Sequence, residues 1–269
     1  MLKRHNKMKE TDFFSLENKI KTFVPGISLD CVVFGYQDRS LHILLLKCRN
    51  TDVWALPGGF LPANSEMDEE ACNILEERTG AKNIYLTQFY TFSSLKRGWN
   101  CNELSAKTFR SARSIWPKEF LPTFDLWFNQ RFISTAFVAL VDAKKVTPIP
   151  DFISEACLWV PVKELPQLIL DHGVMIKKAL EYLRTRINYL PIGKELLDEK
   201  FTMIDLQVLY EAILGKQLDR GNFYRKIMKL NMLKRHEKLM TGAQNKAPYL
   251  YSIDNKVYDQ LIINGIGFI

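Results

Sequence analysis

Five side chains in one short stretch, Arg220, Asn222, Arg225, Lys226 and Lys229, have the chemistry to hold a polyanion. A guanidinium can donate two hydrogen bonds to the O6 and N7 of guanine. An amide can pair in the same bidentate way with adenine, and a lysine ammonium meets phosphate oxygens as a point charge. The surroundings carry the same sign. The four bases among them, with Lys216, Lys234, Arg235, Lys238 and Lys246, make nine between residues 216 and 246, against two acids, Asp219 and Glu237. The remaining 28 bases and 28 acids cancel, so the whole formal charge of +7 belongs to one C-terminal segment. A local patch of this kind serves a polyanion more often than it serves stability. The plainer reading is a basic helix and hairpin packed on the rest of the chain with its charges in water.

Whether those groups can reach a groove depends on the elements that carry them. In Phe201–Leu214, Leu206, Leu209, Tyr210 and Ile213 recur at i, i+3, i+4 and i+7, one face of a helix. Thr202 can cap that helix with Asp205 as its reciprocal partner, and Gly215 ends it. Asp219 then caps a second helix to about Leu230, with Phe223, Ile227 and Leu230 as its apolar stripe and the bases, with Tyr224, on or near the other faces. Met232–His236, a polar turn at Lys238–Lys246 and the strand Tyr249–Ile253 complete a basic hairpin. Helix, tight turn, basic helix and hairpin is the order of a winged helix-turn-helix, and double-stranded DNA is the partner it predicts.

Upstream, Ile27–Phe34 and Leu41–Lys47 read as strands joined by the turn Tyr36–Ser40, and Trp54–Phe60 as a strand end running into a Pro-Gly-Gly loop. Glu66–Arg78 is a helix with Met67, Ala71, Ile74 and Leu75 on one face, Ser65 as its cap and Gly80 as its stop. Strands recur at Ile84–Phe92, Phe132–Val141 and Ala156–Pro161, and Val174–Tyr189 is a helix. Between Phe92 and Arg131 lies an aromatic, basic stretch without clear period: a packing or dimer arm, with a share in a ligand pocket as the alternative. Leu190-Pro191-Ile192-Gly193 breaks the chain. The expected division is a lead-in at 1–26, a first domain at 27–189 and a second at 190–269.

The loop Ala55-Leu56-Pro57-Gly58-Gly59-Phe60, then a helix and Gly80, resembles the Nudix hydrolase box. That box reads Gly, five residues, Glu, seven residues, then Arg-Glu-aliphatic-x-Glu-Glu-x-Gly-aliphatic. Gly59, Leu75 and Gly80 fall on its pattern, and with the flanking strands the resemblance covers about residues 27–170. The physical purpose of the box is a metal site, because glutamates at i, i+3 and i+4 share one helix face and can hold Mg²⁺ against a diphosphate. Here those positions are Ile74, Glu77 and Arg78; Ser65 stands at the first glutamate and Asn73 at the arginine. An aliphatic side chain cannot ligate a hard cation, and Arg78 would set a positive charge where the metal belongs. Sliding the register so that Glu76 and Glu77 become the paired glutamates displaces both glycines. The chain is therefore read as a Nudix fold without the hydrolase chemistry, needing no cofactor and no metal.

The run Lys200-Phe201-Thr202 … Leu218-Asp219-Arg220-Gly221-Asn222-Phe223-Tyr224-Arg225-Lys226-Ile227 resembles the Nudix-related regulators NrtR and their arabinose-responsive relatives AraR. It departs at Tyr224, where the family pattern has arginine, and in the 93–130 insertion. The resemblance implies a homodimer on a palindromic operator, with an effector, ADP-ribose or a free sugar, bound by the Nudix domain. It implies an α+β fold, a Nudix α/β/α sandwich with a mixed sheet followed by a winged helix-turn-helix domain. Trp54, Phe60, Glu77, Arg78 and Arg131 are the expected effector contacts, with loss of the metal carboxylates favouring a neutral sugar. The rival is an active Nudix pyrophosphohydrolase of nucleoside diphosphate derivatives, with a tail that packs or binds RNA.

Composition is consistent with this. At 269 residues and 47% hydrophobic the chain has material for two cores. Five scattered cysteines without a CxxC pair argue against a disulfide framework or a zinc site. No apolar run approaches the roughly 20 residues of a membrane span, and the polar, basic start lacks the apolar stretch of a secretory signal. A cytoplasmic protein with no membrane partner is expected.

Overall fold

The computed structural model describes residues 23–80, 86–98, 103–187, 189, 191, 194–240 and 247–265. Its first half is a seven-stranded mixed sheet: β1 (Phe23–Gln37), β2 (Ser40–Cys48), β3 (Trp54–Ala55), β4 (Gly58–Pro62), β5 (Leu86–Phe92), β6 (Ile133–Asp142) and β7 (Ser154–Pro161). The order is β3-β2-β1-β6-β5, with β4 also on β1 and β7 also on β2. β1 and β6 run parallel from Ile27↔Ile133 to Tyr36↔Asp142, whereas β1 and β2 form an antiparallel hairpin closed at Gln37↔Ser40. Its two turn residues, Asp38 and Arg39, both have positive φ, as the right-handed twist of a tight hairpin demands. β1 begins four residues before the strand expected at Ile27.

Alternation along β1 and β2 sends apolar groups to both faces, so the sheet is covered twice. On one face Leu29, Cys31, Val33, Leu44 and Leu46 pack with Ala71, Ile74 and Leu75 of α1 (Met67–Thr79). On the other, Val32, Phe34, Ile43 and Leu45 pack with Met175, Ile176, Ala179 and Leu183 of α4 (His172–Arg186). Each of these large buried side chains contributes about 1.5–3 kcal/mol of transfer free energy. α1 ends on Gly80 as expected, in the left-handed conformation with its N–H on the Glu76 carbonyl at 2.8 Å. Its N-cap is Glu66, without a side-chain bond, rather than Ser65.

The aromatic stretch, in which no period was legible, contains two helices, α2 (Glu103–Ser114) and α3 (Leu121–Phe128). The pattern is disguised because Ser105 and Thr108 share the buried face of α2 with Phe109. Their hydroxyls are satisfied there, Ser105 accepting from the Leu170 N–H at 3.1 Å and Thr108 donating to the Leu104 carbonyl at 2.9 Å. Phe109, Trp116, Phe120, Phe124, Trp127 and Phe132 form a third buried cluster, and this one is aromatic.

The second half follows the expected order. α5 (Met203–Leu214), α6 (Arg220–Lys229) and the strands β8 (Phe201–Thr202), β9 (Leu233–Lys238) and β10 (Tyr249–Ile253) give two helices and a small sheet ordered β8-β10-β9. A final helix, α7 (Asn255–Asn264), capped by Asp254, was not anticipated. Leu206, Leu209 and Ile213 of α5 share one buried cluster with α4 and its sheet face. No helix among the described residues is long and apolar enough to cross a membrane.

Candidate functional site

Two places in the molecule carry chemistry. The first is α6. Phe223 and Ile227 are its buried anchors, and Phe223 meets the Tyr210 ring edge-on at 5.3 Å. That packing turns Arg220, Asn222, Arg225, Lys226 and Lys229 outward, all exposed. Asp219 accepts the Asn222 N–H at 2.8 Å and so starts the helix, while the Thr202–Asp205 capping box starts α5. The Arg225 guanidinium donates to the side-chain amide oxygen of Asn222, which sets the two expected base-reading groups side by side. Tyr224 neighbours Tyr251 of β10, and burial first, then Tyr224, raises the Tyr251 phenol above its usual pKa. On the wing, Lys234 is paired with Asp254 at 2.8 Å, and Arg235 and Lys238 flank the Tyr249 ring at 4.8 and 5.4 Å. Lys246 lies outside the described residues.

The second place is a cavity of about 1010 Å³ beside the loop and helix that resemble the Nudix box. Such a volume is at the upper end of small-molecule sites. Its base is a buried polar network. Asp30, an acid in an otherwise apolar stretch of β1, accepts from Arg97 Nη2 at 2.9 Å and from the Ser134 hydroxyl, while Arg97 Nε donates to Asp171 at 2.9 Å. His172 Nδ1 accepts the Leu56 N–H at 2.9 Å, so the ring proton belongs on Nε2, 3.5 Å from Asp30. Burial lowers the His172 pKa and keeps the ring neutral. Two glycines make room for the loop: a Cβ at Gly58 would stand 2.7 Å from an Asp30 oxygen, and one at Gly59 would stand 2.9 Å from Ile74 Cδ1. Burial also pushes the Cys48 thiol in the wall up to about 12, so it is no nucleophile at neutral pH.

One wall is aromatic. Phe23, Phe60, Trp116, Phe128 and Phe132 line it, so the insertion carrying α2 and α3 contributes directly to the cavity. The lining also has polar groups, Glu77, Arg78, Arg49 and Asp151. Arg78 lies 3.4 Å from Glu77 and 4.0 Å from Asp151, and Ile74 is buried against the glycine loop. Among the described residues no group of three or more His, Cys, Asp or Glu is arranged to hold a metal ion.

Of the expected effector contacts, Phe60, Glu77 and Arg78 line this cavity and Trp54 and Arg131 do not. Trp54 precedes the lining residue Ala55 on β3 and so faces the other side of the sheet, packed against the cluster around α4. The Arg131 guanidinium is spent on the carbonyls of Ser93 and Ser94, at 2.6 and 3.4 Å. Sequence reasoning missed Asp30, Arg97 and His172. The Asp30 signal was available: a carboxylate inside Leu-Asp-Cys-Val-Val has to find partners when the strand is buried.

The fold is a Nudix-type α/β/α sandwich with a mixed sheet, followed by a winged helix-turn-helix. Comparison with known proteins meets both halves. Residues 193–253 match the family model described as the NrtR DNA-binding winged helix domain. Over 266 residues the chain is 24% identical to the ADPR responsive transcriptional repressor NtrR of Acinetobacter baylyi, covering 95% of this chain and 93% of that one. It resembles Shewanella oneidensis NrtR, solved in complex with a 27mer DNA, with a TM-score of 0.61 at 20% identity over 87% of this chain and 95% of the other. A MutT/nudix family protein from Enterococcus faecalis gives a TM-score of 0.58 at 16% identity, over 93% and 95% of the two chains. The expected resemblance to Nudix-related regulators of the NrtR kind is thus found in sequence and in fold.

Proposed function

We propose that this chain is a transcriptional regulator whose winged helix binds an operator under the control of a metabolite held in the Nudix-type cavity. The observation that carries the reading is the exposed basic face of α6, fixed by two capping motifs and lying within the segment that matches a DNA-binding domain. Arg220, Asn222 and Arg225 read bases, Lys226 and Lys229 meet phosphates, and Arg235 and Lys238 follow the backbone from the wing. The domains divide at residues 190–193, and a homodimer on a palindromic operator is the assembly carried over from the resemblance. The relatives named above suggest ADP-ribose as one effector, and a free sugar is the other. Sugar metabolism and a cytoplasmic setting belong to this reading.

Hydrolysis does not. Ile74 and Arg78 occupy two box positions at which carboxylates would hold the metal, and Arg78 already faces Glu77 and Asp151. Communication between the two halves has a physical path in α4. Its first residue, His172, lines the cavity, and Arg184, about 18 Å further along at 1.5 Å per residue, donates to the Ile213 carbonyl at the end of α5 at 2.9 Å. A ligand that shifts the start of α4 therefore biases the seat of the winged helix, and through it the spacing of two half-sites.

The test is a mobility shift with DNA from upstream of the gene, with and without ADP-ribose and free pentoses. A specific shift altered by one compound is the expected result. Absence of specific binding at moderate salt, together with Mg²⁺-dependent hydrolysis of a nucleoside diphosphate derivative, would replace the regulator by an enzyme.

A further inference from the structure

The 93–130 insertion has no task in the regulator reading beyond lining the cavity. Its helix α2 is fastened near both ends to elements around that cavity. Toward the C-terminus the Ser111 hydroxyl donates to the Arg49 carbonyl at 3.1 Å, in the turn after β2. Toward the N-terminus Ser105, fully buried, accepts the Leu170 N–H at 3.1 Å, and Leu104 and Leu170 pack against the same core cluster. Between the two anchors Thr108 and Ala112 line the cavity. The helix therefore stands between the cavity and the turn that leads into α4.

Leu170 is the unusual residue of that turn. Its φ is +49°, in the left-handed region that a side chain with a Cβ enters only under constraint. Before it, Trp54 donates to the Gln167 carbonyl and Ile169 to the Trp54 carbonyl, both at 2.9 Å, which holds residues 167–169 along β3. After it, the Asp171 carbonyl accepts the Val174 and Met175 N–H groups at 2.9 and 3.0 Å and opens α4. The chain passes from β3 into α4 through residue 170, and the Ser105 hydroxyl holds the N–H of that residue.

We propose that the insertion positions α4: Ser105 clamps Leu170 in its left-handed turn, and that turn sets where α4 begins and so how its far end seats the winged helix. The inference deepens the regulator reading and rests on α4 as the path between the two halves. Without the hydroxyl, the Leu170 N–H loses its partner and the backbone relaxes toward negative φ, carrying the first turn of α4 with it. Glycine at this position would hold the same turn unaided, because it has no Cβ to oppose a positive φ. The clamp and the packing of Ser105 can therefore be separated by experiment.

A double-mutant cycle on the full chain is read by fluorescence anisotropy with DNA from upstream of the gene and by amide hydrogen exchange. Ser105→Ala is expected to shift operator affinity by about fivefold or more and to speed exchange of the Val174 and Met175 N–H groups by about tenfold. In the Leu170→Gly background the same substitution is expected to change either quantity by less than about twofold. Should Leu170→Gly fold poorly, Leu170→Asn, whose side chain tolerates the left-handed region, takes its place. A lower unfolding temperature for Ser105→Ala, with operator affinity and the first turn of α4 unmoved, would reduce Ser105 to a packing residue and overturn the clamp. So would an effect that persists undiminished in the Leu170→Gly background, since Ser105 would then act through another contact. A wild type that binds no upstream DNA would be a failure of the regulator reading itself, and hydrogen exchange then decides the clamp alone.

Discussion

In the winged helix, the starts of both helices are fixed by groups a few residues away. Thr202 is bonded to Asp205 and Asp219 to Asn222, both at a separation of three residues. In the cavity the separations are of another order: Arg97 reaches Asp30 across 67 residues and Asp171 across 74, Ser134 reaches Asp30 across 104, and Leu56 reaches His172 across 116. The difference sets how each region fails. A locally held surface loses one contact when one residue is changed, whereas a buried network leaves every remaining charge without its partner.

The sharpest way to expose that contrast is Arg97→Ala. The guanidinium is 3% exposed and Asp30 8%, so removal strands a buried carboxylate and is expected to cost about 3–5 kcal/mol of stability. Thermal unfolding measures it. A loss under 1 kcal/mol would mean that water replaces the arginine and that the network is not the base of the cavity.

On the other region, Arg220→Ala and Arg225→Ala leave the fold intact and act on DNA. Each is expected to weaken operator binding by about 1–3 kcal/mol and to relax base preference at one position. Lys238→Ala weakens all sequences alike and lowers the salt slope. Binding to a matched set of operator variants at several salt concentrations separates the two behaviours. Uniform losses for all three would move Arg220 and Arg225 from bases to phosphates.

The same contrast explains what could be read in advance. Capping residues, a left-handed glycine and a 3.6-residue apolar stripe are local signals, and α5, α6 and the ends of α1 were legible from them, save for the cap at Glu66. The glycine loop and the box spacing were legible because both glycines answer to steric contacts, Gly58 with Asp30 and Leu29 of β1 and Gly59 with Ile74 of α1. The insertion was not, because Ser105 and Thr108 stand on its buried face and satisfy their hydroxyls there. The cavity was half legible. Phe60, Glu77 and Arg78 sit next to the box, but Arg97 and His172 come from elements whose meeting depends on the sheet order, which no local pattern encodes. Trp54 stands one residue before the lining residue Ala55, so strand alternation turns it to the other face of the sheet.

Acidification acts on the cavity region through His172. His172 is buried with its pKa lowered, so below the ordinary histidine value of about 6.5 the unfolded chain binds a proton that the folded chain refuses. Stability therefore rises with pH through this window, and falls as the pH drops from about 7 toward 5. One proton corresponds to at most about 1.4 kcal/mol per pH unit. Comparison of unfolding free energies at pH 7 and pH 5 for the wild type and His172→Asn measures the contribution. The variant is expected to be less stable at pH 7 and to show a flatter slope; an unchanged slope would assign the acid sensitivity to other groups.

The smallest effect belongs to the local side of the comparison. Thr202 accepts the Asp205 N–H at 3.2 Å and the Asp205 carboxylate accepts the Thr202 N–H at 2.9 Å, a reciprocal cap on the first turn of α5. Thr202→Ala removes one half and is expected to cost about 1 kcal/mol of stability. Because the packed face of α5 joins the core shared with α4, the helix survives that loss and α6 keeps its seat on Tyr210. Operator affinity should then change by less than stability does. If Thr202→Ala instead weakens DNA binding tenfold with only a small change in unfolding temperature, the capping box is part of how the basic helix is aimed, and the separation between a locally built surface and a globally built cavity narrows at the point where α5 joins them.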